Sequence, residues 1–323
     1  MIALKSHLKK LILGFDLPQE YLCVGKEELL HPLKVFLGDE TSSQPKDVSD
    51  QHLFLGYKPL VIGIPALNNS NFYKTLEARS IISLQFLAEN EKTKMIAELK
   101  LKFIQRKVVR DYTVFLYEGV NGNHQLLSPF YQMTNGILNK SKEQKVGNIN
   151  LDGNLYEQVR IAYSVPRLIS IVSLGDGKQF NMFPTDLNGP VGDGQYVISL
   201  RHDGKANAQV EEFGKICIAT VGTSFFKTAY GMGRNHMQSL RSLENFEVAD
   251  ERSEKFNLPL SSQVLTYREL ERMDSIDVGI HRLHFFNVVH RKILRSDASL
   301  AHVHRYFASW DIKQGHGTHY LIR

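Results

Sequence analysis

The chain has 323 residues, of which 42% are hydrophobic and 23% are charged, and its formal net charge at pH 7 is +5. This composition is ordinary for a globular protein, and the length is sufficient for two domains. The lysines and arginines are dispersed rather than clustered, which argues against the basic face of a nucleic-acid-binding protein. No window approaches the roughly 20 unbroken apolar residues of a membrane-spanning helix. We therefore expect neither a nucleic-acid nor a membrane partner.

The chain contains two cysteines, Cys23 and Cys217. They lie far apart in the sequence, and neither belongs to a C-x-x-C motif, so the pattern predicts neither a disulfide framework nor a zinc site. Cys217 lies inside an apolar run and is expected to be a core thiol. This cysteine usage fits a reducing compartment, and we expect a cytoplasmic protein.

Residues 1–37 have a helical pattern. The first 15 residues are basic and amphipathic and lack a small-residue cleavage site, which predicts a first helix rather than a signal peptide. The polar segment 38–50 predicts a surface loop. Strands are predicted at 60–64, 78–86 and 95–109. The last of these alternates polar and apolar residues with the period of a half-buried antiparallel strand.

A further strand is predicted at 113–117, and V-N-G-N-H at 120–124 is typical of a hairpin turn. Residues 141–154 are polar and contain glycine, so we place a domain boundary there. The sequence thus predicts an N-terminal β-rich domain of unassigned role at 1–150 and a second domain at 151–323.

The stretch from residue 165 to 221 is the most informative part of the second domain. Two apolar, β-branched runs at 168–174 and 196–200 bracket a polar loop that opens with Asn181, and a third apolar run follows at 216–221. Short strands joined by Gly, Asp and Asn turns indicate an antiparallel sheet or barrel rather than a crossover fold.

This pattern resembles the flavin reductase-like branch of the FMN-binding split barrels. In that family a P-R-x motif leads into an apolar strand, a turn and then N-x-x-P-[ST], and the present chain has the same order over residues 166–185. The whole resemblance covers residues 155–310. The resemblance implies that the loop binds the phosphate and ring of FMN through its backbone and side chains. The implied loop contacts are Asn181, Met182, Phe183, Pro184, Thr185 and Asp186.

The strand I-S-L-R and the segment after it extend the resemblance. In the family this strand ends near the flavin phosphate, and a K-D-T-like segment begins the next helix. The resemblance implies that Ser199, Arg201 and Lys205 contact FMN. It also implies a contact from Asn207, which is expected to cap the helix. Ala206 stands where the family has an acidic residue, which is a departure from the motif.

A third resemblance concerns V-G-I-H at the start of a predicted strand. His281 matches a family histidine beside the flavin and the nicotinamide, while Ile280 replaces the expected acid. The resemblance implies that a neutral His281 orients the nicotinamide or buffers the proton of the reduced flavin. A histidine that simply begins a strand at the barrel rim is the alternative.

Other candidate motifs carry less chemistry. The segment F-F-K-T-A-Y-G-M-G-R-N-H at 225–236 lacks the third glycine of a dinucleotide fingerprint and is predicted to be a mobile loop. Four late histidines have no carboxylate or cysteine at a typical metal-ligand spacing and are interpreted as structural or surface histidines. They are His302, His304, His316 and His319. Neither a G-x-S-x-G motif nor a Cys/His motif indicates a nucleophile.

Two short echoes suggest an internal repeat, 58–64 with 166–172 and 79–86 with 196–202. The connecting lengths differ and the first copy lacks the Asn-x-x-Pro-Thr segment, so chance similarity is the preferred interpretation. The expected fold is mostly β (α+β). It is an antiparallel split β-barrel with peripheral helices and an N-terminal β-rich domain, and a degenerate second barrel is the alternative for that domain.

The expected function is hydride transfer from NAD(P)H to bound FMN, in a homodimer, because split barrels of this family place FMN at a subunit interface. An internal pseudo-dimer within one chain is the alternative if the repeat is real. A flavin- or heme-binding module without robust turnover, and a non-binding structural relative, are the other candidate functions. The fold alone does not separate these three.

Overall fold

The computed structural model describes residues 17, 19–38, 45–88, 94–140, 151 and 153–322. The helix predicted at 1–15 and most of the predicted boundary at 141–154 lie outside these residues. No helix among the described residues has both the length and the apolar character needed to cross a bilayer.

The described part of the chain is mostly β. Its strands are β1 (Tyr21–Gly25), β2 (Leu33–Gly38), β3 (Lys46–Asp47), β4 (Leu53–Tyr57), β5 (Leu60–Leu67), β6 (Ile81–Ala88), β7 (Met95–Val109), β8 (Tyr112–His124), β9 (Arg167–Leu168), β10 (Ser170–Gly175), β11 (Phe180–Thr185), β12 (Asn188–Pro190), β13 (Gln195–Arg201), β14 (Lys215–Val221), β15 (Val248–Arg252), β16 (Pro259–Ser261), β17 (Val264–Val278), β18 (His281–Ile293) and β19 (Leu300–His304). Its α-helices are α1 (Asn71–Glu77), α2 (Pro129–Lys140), α3 (Asn154–Ala162), α4 (Lys205–Phe213), α5 (Phe226–Met232) and α6 (Arg305–Lys313).

Two seven-stranded antiparallel sheets dominate the fold, and they have the same topology. The first has the order β3-β2-β6-β7-β8-β5-β4, and the second has the order β11-β10-β14-β17-β18-β13-β12. If the seven strands of each sheet are numbered 1 to 7 along the chain, the spatial order is 2-1-5-6-7-4-3 in both sheets. A short helix also occupies the same place in both, α1 after β5 and α4 after β13.

The registers of the two sheets agree as well. Leu67 pairs with Tyr112 where β5 meets β8, and Arg201 pairs with His281 where β13 meets β18. The sequence echoes do not follow this equivalence. Residues 60–64 lie in β5, whose counterpart is β13 rather than β10, so those short echoes join strands that are not equivalent.

We call the first sheet with its helices the first half of the chain, and the second sheet with its helices the second half. The two halves meet along a cluster of apolar side chains, which we call the seam. The first half contributes residues of β4, β5, β7 and β8, and the second half contributes residues of β13, β17 and β18 together with one residue beyond β12. The members are Leu53, Leu55, Val61, Val109, Val114, Leu116, Val191, Val197, Val278, Leu283 and Phe285. Eleven buried apolar side chains make the hydrophobic effect the main force between the halves.

Turns at both ends of the seam also touch the opposite half. Gly279, in the β17–β18 turn, has a φ of 59°, and a Cβ there would lie 2.4 Å from the carbonyl oxygen of Lys58. At the other end, Gly192 has a φ of 86°, and a Cβ would overlap the ring of Tyr112. Glycine is thus required twice, for the left-handed backbone and for close approach of the halves.

Several sequence predictions are confirmed. The strand at 95–109 has the predicted bounds, and the runs at 168–174, 196–200 and 216–221 form strands. Others are wrong. Residues 21–25 and 33–38 are strands rather than helix, because tertiary pairing with β19 and β6 overrides the local pattern. The V-N-G-N-H segment continues β8 instead of turning.

Candidate functional site

The segment predicted to be a flavin-binding loop is an edge strand. β11 pairs with β10 along Phe180–Thr185, and Pro184 is tolerated because edge strands need fewer ladder hydrogen bonds. The segment 225–236, predicted to be a mobile loop, forms α5 and short 3₁₀ turns that lie against β11. This cover explains why Asn181, Met182, Phe183 and Thr185 are buried.

Asn181 holds the covering segment onto the barrel. Its Nδ2 donates to Oε1 of Gln209 at 2.7 Å and to the carbonyl oxygen of Asn235 at 3.1 Å. Asn235 in turn donates to the carbonyl oxygen of Met182 at 2.7 Å. The Oδ1 of Asn181 is buried without a hydrogen-bond partner among the described residues. Such an orphaned acceptor is costly and is a point where a ligand donor would be stabilised.

Ser199 and Asn207 are also buried and bonded within the chain. Ser199 Oγ donates to the carbonyl oxygen of Leu55 in the first half, and it lies 3.1 Å from Nδ1 of His281. Asn207 Oδ1 lies 2.7 Å from Nε2 of His284. The prediction that Asn207 caps the helix is wrong, because α4 begins at Lys205 with Gly204 as its N-cap and Asn207 lies in the first turn.

His281 lies at the seam rather than on an open surface. It begins β18 opposite Arg201, is 1% exposed, and packs edge-on against Tyr57 of the first half at 4.6 Å between ring centroids. Burial, helped by the positive charge of Arg201, lowers the pKa of His281 to about 4. The imidazole is therefore neutral near pH 7. Its Nε2 has no hydrogen-bond partner among the described residues.

Four predicted site residues remain accessible, and they lie at this end of the seam. Arg201 forms a 2.5 Å ion pair with Asp203 and a hydrogen bond with the hydroxyl of Tyr57. Lys205 donates to Ser239 at 3.1 Å. The other two, Pro184 and Asp186, are partly exposed. The structure thus divides the eleven predicted residues into seven that are buried and four that a ligand could touch.

The sequence did not predict the pairing of a carboxylate with a histidine at this end. Asp186 Oδ2 lies 2.8 Å from Nδ1 of His302 on β19, and His302 Nε2 lies 3.0 Å from the hydroxyl of Tyr230 on α5. Tyr163 donates to the same carboxylate oxygen at 2.9 Å. Burial opposes the charge on His302, but the hydrogen bond and charge of Asp186 outweigh it and raise the pKa of His302 to about 9.

Asp186 and His302 are 116 positions apart in the chain, so no local spacing could have indicated the pair. The sequence offered one partial signal, the H-V-H pattern that places His302 and His304 on the same face of a strand. His304 is fully buried, and burial lowers its pKa to about 4. Within the described ranges, no group of three or more His, Cys, Asp or Glu side chains is arranged to hold a metal ion.

No family model and no curated protein sequence matches the chain. Among solved structures, the NADH:FAD oxidoreductase SgcE6 of Streptomyces globisporus is 11% identical, with a TM-score of 0.41 over 48% of this chain and 93% of that one. BorF, the flavin reductase component of a bacterial two-component tryptophan halogenase, is 13% identical, with a TM-score of 0.41 over 52% and 98%.

An FMN-binding protein from Thermus thermophilus is 12% identical, with a TM-score of 0.36 over 47% of this chain and 82% of that one. At such low identities and TM-scores, we infer the function of this chain from its own residues.

Proposed function

We propose that the chain binds FMN at the end of the seam marked by Arg201 and His281, and that it takes hydride from NAD(P)H. The observation that carries the proposal is the position of Arg201, whose guanidinium lies at the seam between two halves of equal topology. In the family that the sequence resembles, the flavin lies between two barrels. The accessible cations Arg201 and Lys205 suit a phosphate, although Asp203 already pairs with Arg201.

The donor and acceptor chemistry of this end fits a flavin. Asn181 Oδ1 and His281 Nε2 are buried acceptors without partners among the described residues, and a flavin offers ring N–H and ribityl O–H donors. Both atoms are covered in this structure, by the segment around Asn235 and by Tyr57. Contact with a flavin therefore requires these covers to move. Bound FMN would supply the ring that accepts the hydride.

We further propose that the two halves, divided near residue 150, correspond to the two barrels of a family dimer. The N-terminal half would then be a degenerate second barrel, and the chain an internal pseudo-dimer. The matched strand order and register support this proposal, as does the apolar seam between the halves.

A binding module without robust turnover is the second candidate function. It is favoured by the burial of His281, which leaves no imidazole edge open to a nicotinamide. Reduction kinetics separate the two candidates, because a binding module takes up FMN but is not bleached by NADH or NADPH.

The test is FMN titration of the purified chain, followed by absorbance and flavin fluorescence. Wild-type protein should bind FMN saturably. The double variant Arg201→Gln with Lys205→Gln should lower the affinity for FMN at least tenfold. Its affinity for riboflavin, which has no phosphate, should be nearly unchanged. The matched control, Lys178→Gln with Lys227→Gln, removes the same charge elsewhere. Equal losses for FMN and riboflavin, or no saturable FMN binding, would overturn the proposal.

His281 has its own test in stopped-flow bleaching of bound FMN. If the neutral imidazole positions the nicotinamide, His281→Ala should preserve FMN affinity and slow reduction by roughly tenfold or more. The comparison variant is Tyr57→Phe, which keeps the ring that packs on His281 but removes the hydroxyl bonded to Arg201, so its FMN affinity is measured as well. Reduction of the His281→Ala variant at the wild-type rate would assign His281 to seam packing alone.

A further inference from the structure

A cleft of about 650 Å³ lies at the opposite end of the seam. One wall belongs to the first half and includes Lys46, Phe72 and Tyr112, and the other belongs to the second half and includes Arg268 and Arg291. The volume lies within the range of small-molecule sites, roughly 300–1,000 Å³.

This cleft is the topological counterpart of the end that contains Arg201 and His281. The equivalent register positions are occupied by Leu67 and Tyr112, so the cation and the histidine of the other end are absent here. The cleft therefore lacks the residues on which the proposed flavin site depends. Its positive charge comes from different strands.

Arg268 on β17 and Arg291 on β18 are direct cross-strand partners. Like charges in this position repel each other and destabilise a sheet. Neither guanidinium has an ion pair or hydrogen bond to any described residue, and Arg268 only lies over the ring of Tyr196 at 5.5 Å. A sheet that retains two adjacent, uncompensated arginines beside a cavity has the geometry of an anion site.

Other arginines of the same two strands show that compensation was available. Arg272 on β17 pairs with Glu211 at 3.4 Å, and Arg282 on β18 pairs with Glu211 at 2.7 Å and with Asp277 at 2.7 Å. Arginine charge on this sheet is neutralised away from the cleft and left free at the cleft.

The remaining charged groups of the cleft add to the pattern. Lys46 lies with its Nζ 3.3 Å from the centroid of the Phe72 ring, and it forms no ion pair within the described ranges. Asp50 and Asp193 also line the cleft, and neither lies within ion-pair distance of a cation in that part of the chain. These carboxylates suit hydroxyl or amino donors of a ligand.

We propose that this cleft binds a small phosphorylated organic molecule, with its phosphate between Arg268 and Arg291 and its polar donors toward Asp50 and Asp193. Arginine is favoured for this task because its planar fork of N–H groups matches phosphate oxygens in pairs. The site is separate from the proposed flavin site and does not depend on it.

Isothermal titration of the full chain at low ionic strength tests the proposal, with AMP and inorganic pyrophosphate as probes. The wild-type chain should bind at least one of them saturably, and Arg268→Gln with Arg291→Gln should weaken that binding at least tenfold. The matched control, Lys178→Gln with Lys292→Gln, lowers the net charge equally outside the cleft and should bind like wild type. FMN titration of the arginine variant should be unchanged.

A stability measurement separates a binding role from a structural one. Because the two arginines repel each other, Arg291→Gln should leave Tm unchanged or raise it. A lower Tm together with unchanged probe affinity would assign the arginines to folding and overturn the proposal. Absence of saturable binding of both probes to wild type, equal weakening in the control variant, or loss of FMN binding in the arginine variant would overturn it as well.

Discussion

His302 joins three separate elements through hydrogen bonds at its two ring nitrogens. The carboxylate follows β11, the imidazole lies on β19, and Tyr230 on α5 contacts the far ring nitrogen. Tyr163, Cys23 and Tyr21 are further titratable groups beside the pair or beside Tyr230. The ionic part of this stabilisation is present only while His302 carries its proton.

The pH dependence of this stabilisation has a definite sign. The pKa of His302 is raised to about 9 in the folded chain, above its ordinary value of 6.5. Its contribution should therefore be complete below about pH 6.5 and should be lost as the pH rises through about 9. The measurement is the free energy of unfolding of wild type and of His302→Gln between pH 6 and pH 10. The difference should shrink toward alkaline pH.

Lys, Tyr and Cys side chains also titrate in this range, so the comparison needs a control. His316→Gln removes a histidine that bonds to Asp311 of α6 and has no contact with Asp186 or His302. It reports the alkaline loss that is common to all variants. A difference between wild type and His302→Gln that stays constant from pH 6 to pH 10 would contradict the prediction.

At the scale of elements, the turn between β17 and β18 packs closely against Lys58 of the first half. Gly279→Ala should strain the backbone and drive a Cβ into the carbonyl of Lys58, at a cost of about 2–4 kcal/mol of stability. Gly214→Ala is a matched control, since Gly214 has nearly the same φ, 62°, with no heavy atom within 4 Å of its Cβ position. It should cost about 1 kcal/mol. Urea unfolding measures both, and equal losses would show that the turn contact is unimportant.

The sequence was sufficient to predict β7 but not β11. The alternation of residues 95–109 predicted β7 with its observed bounds, because one face of that strand is buried and the other is not. The same rule failed for β11, whose outer face is covered by the segment around Asn235. The polar Asn181 predicted a loop, because the segment that covers the strand lies 54 positions away in the sequence.

The candidate site, too, was predicted only in part. The resemblance implied that Arg201 and His281 both lie beside the flavin, and the structure makes them register partners on adjacent strands. It could not show that His281 is covered by Tyr57, since that contact crosses from one half of the chain to the other. The repeated topology was likewise hidden, because the equivalent strands β5 and β13 have unlike sequences while unrelated strands echo each other.

For the whole molecule, the proposed internal pseudo-dimer predicts a monomer. If the two halves take the place of two associated barrels, the apolar surface for association is the seam, and its side chains are already buried within one chain. We expect sedimentation velocity to give the mass of a single chain, and Tm to be independent of protein concentration. A dimer at micromolar concentration, or a Tm that rises with concentration, would instead support the homodimer expected from the family resemblance.

Covalent joining of the halves has a consequence for how the two ends of the seam can change. In a homodimer one gene specifies both interfaces, so a substitution is made at two places at once and any gain at one carries the same cost at the other. Here each end is encoded separately. Leu67 and Tyr112 occupy at one end the register positions that Arg201 and His281 occupy at the other, and one pair can change without altering the other pair. Selection can therefore act on the two ends independently.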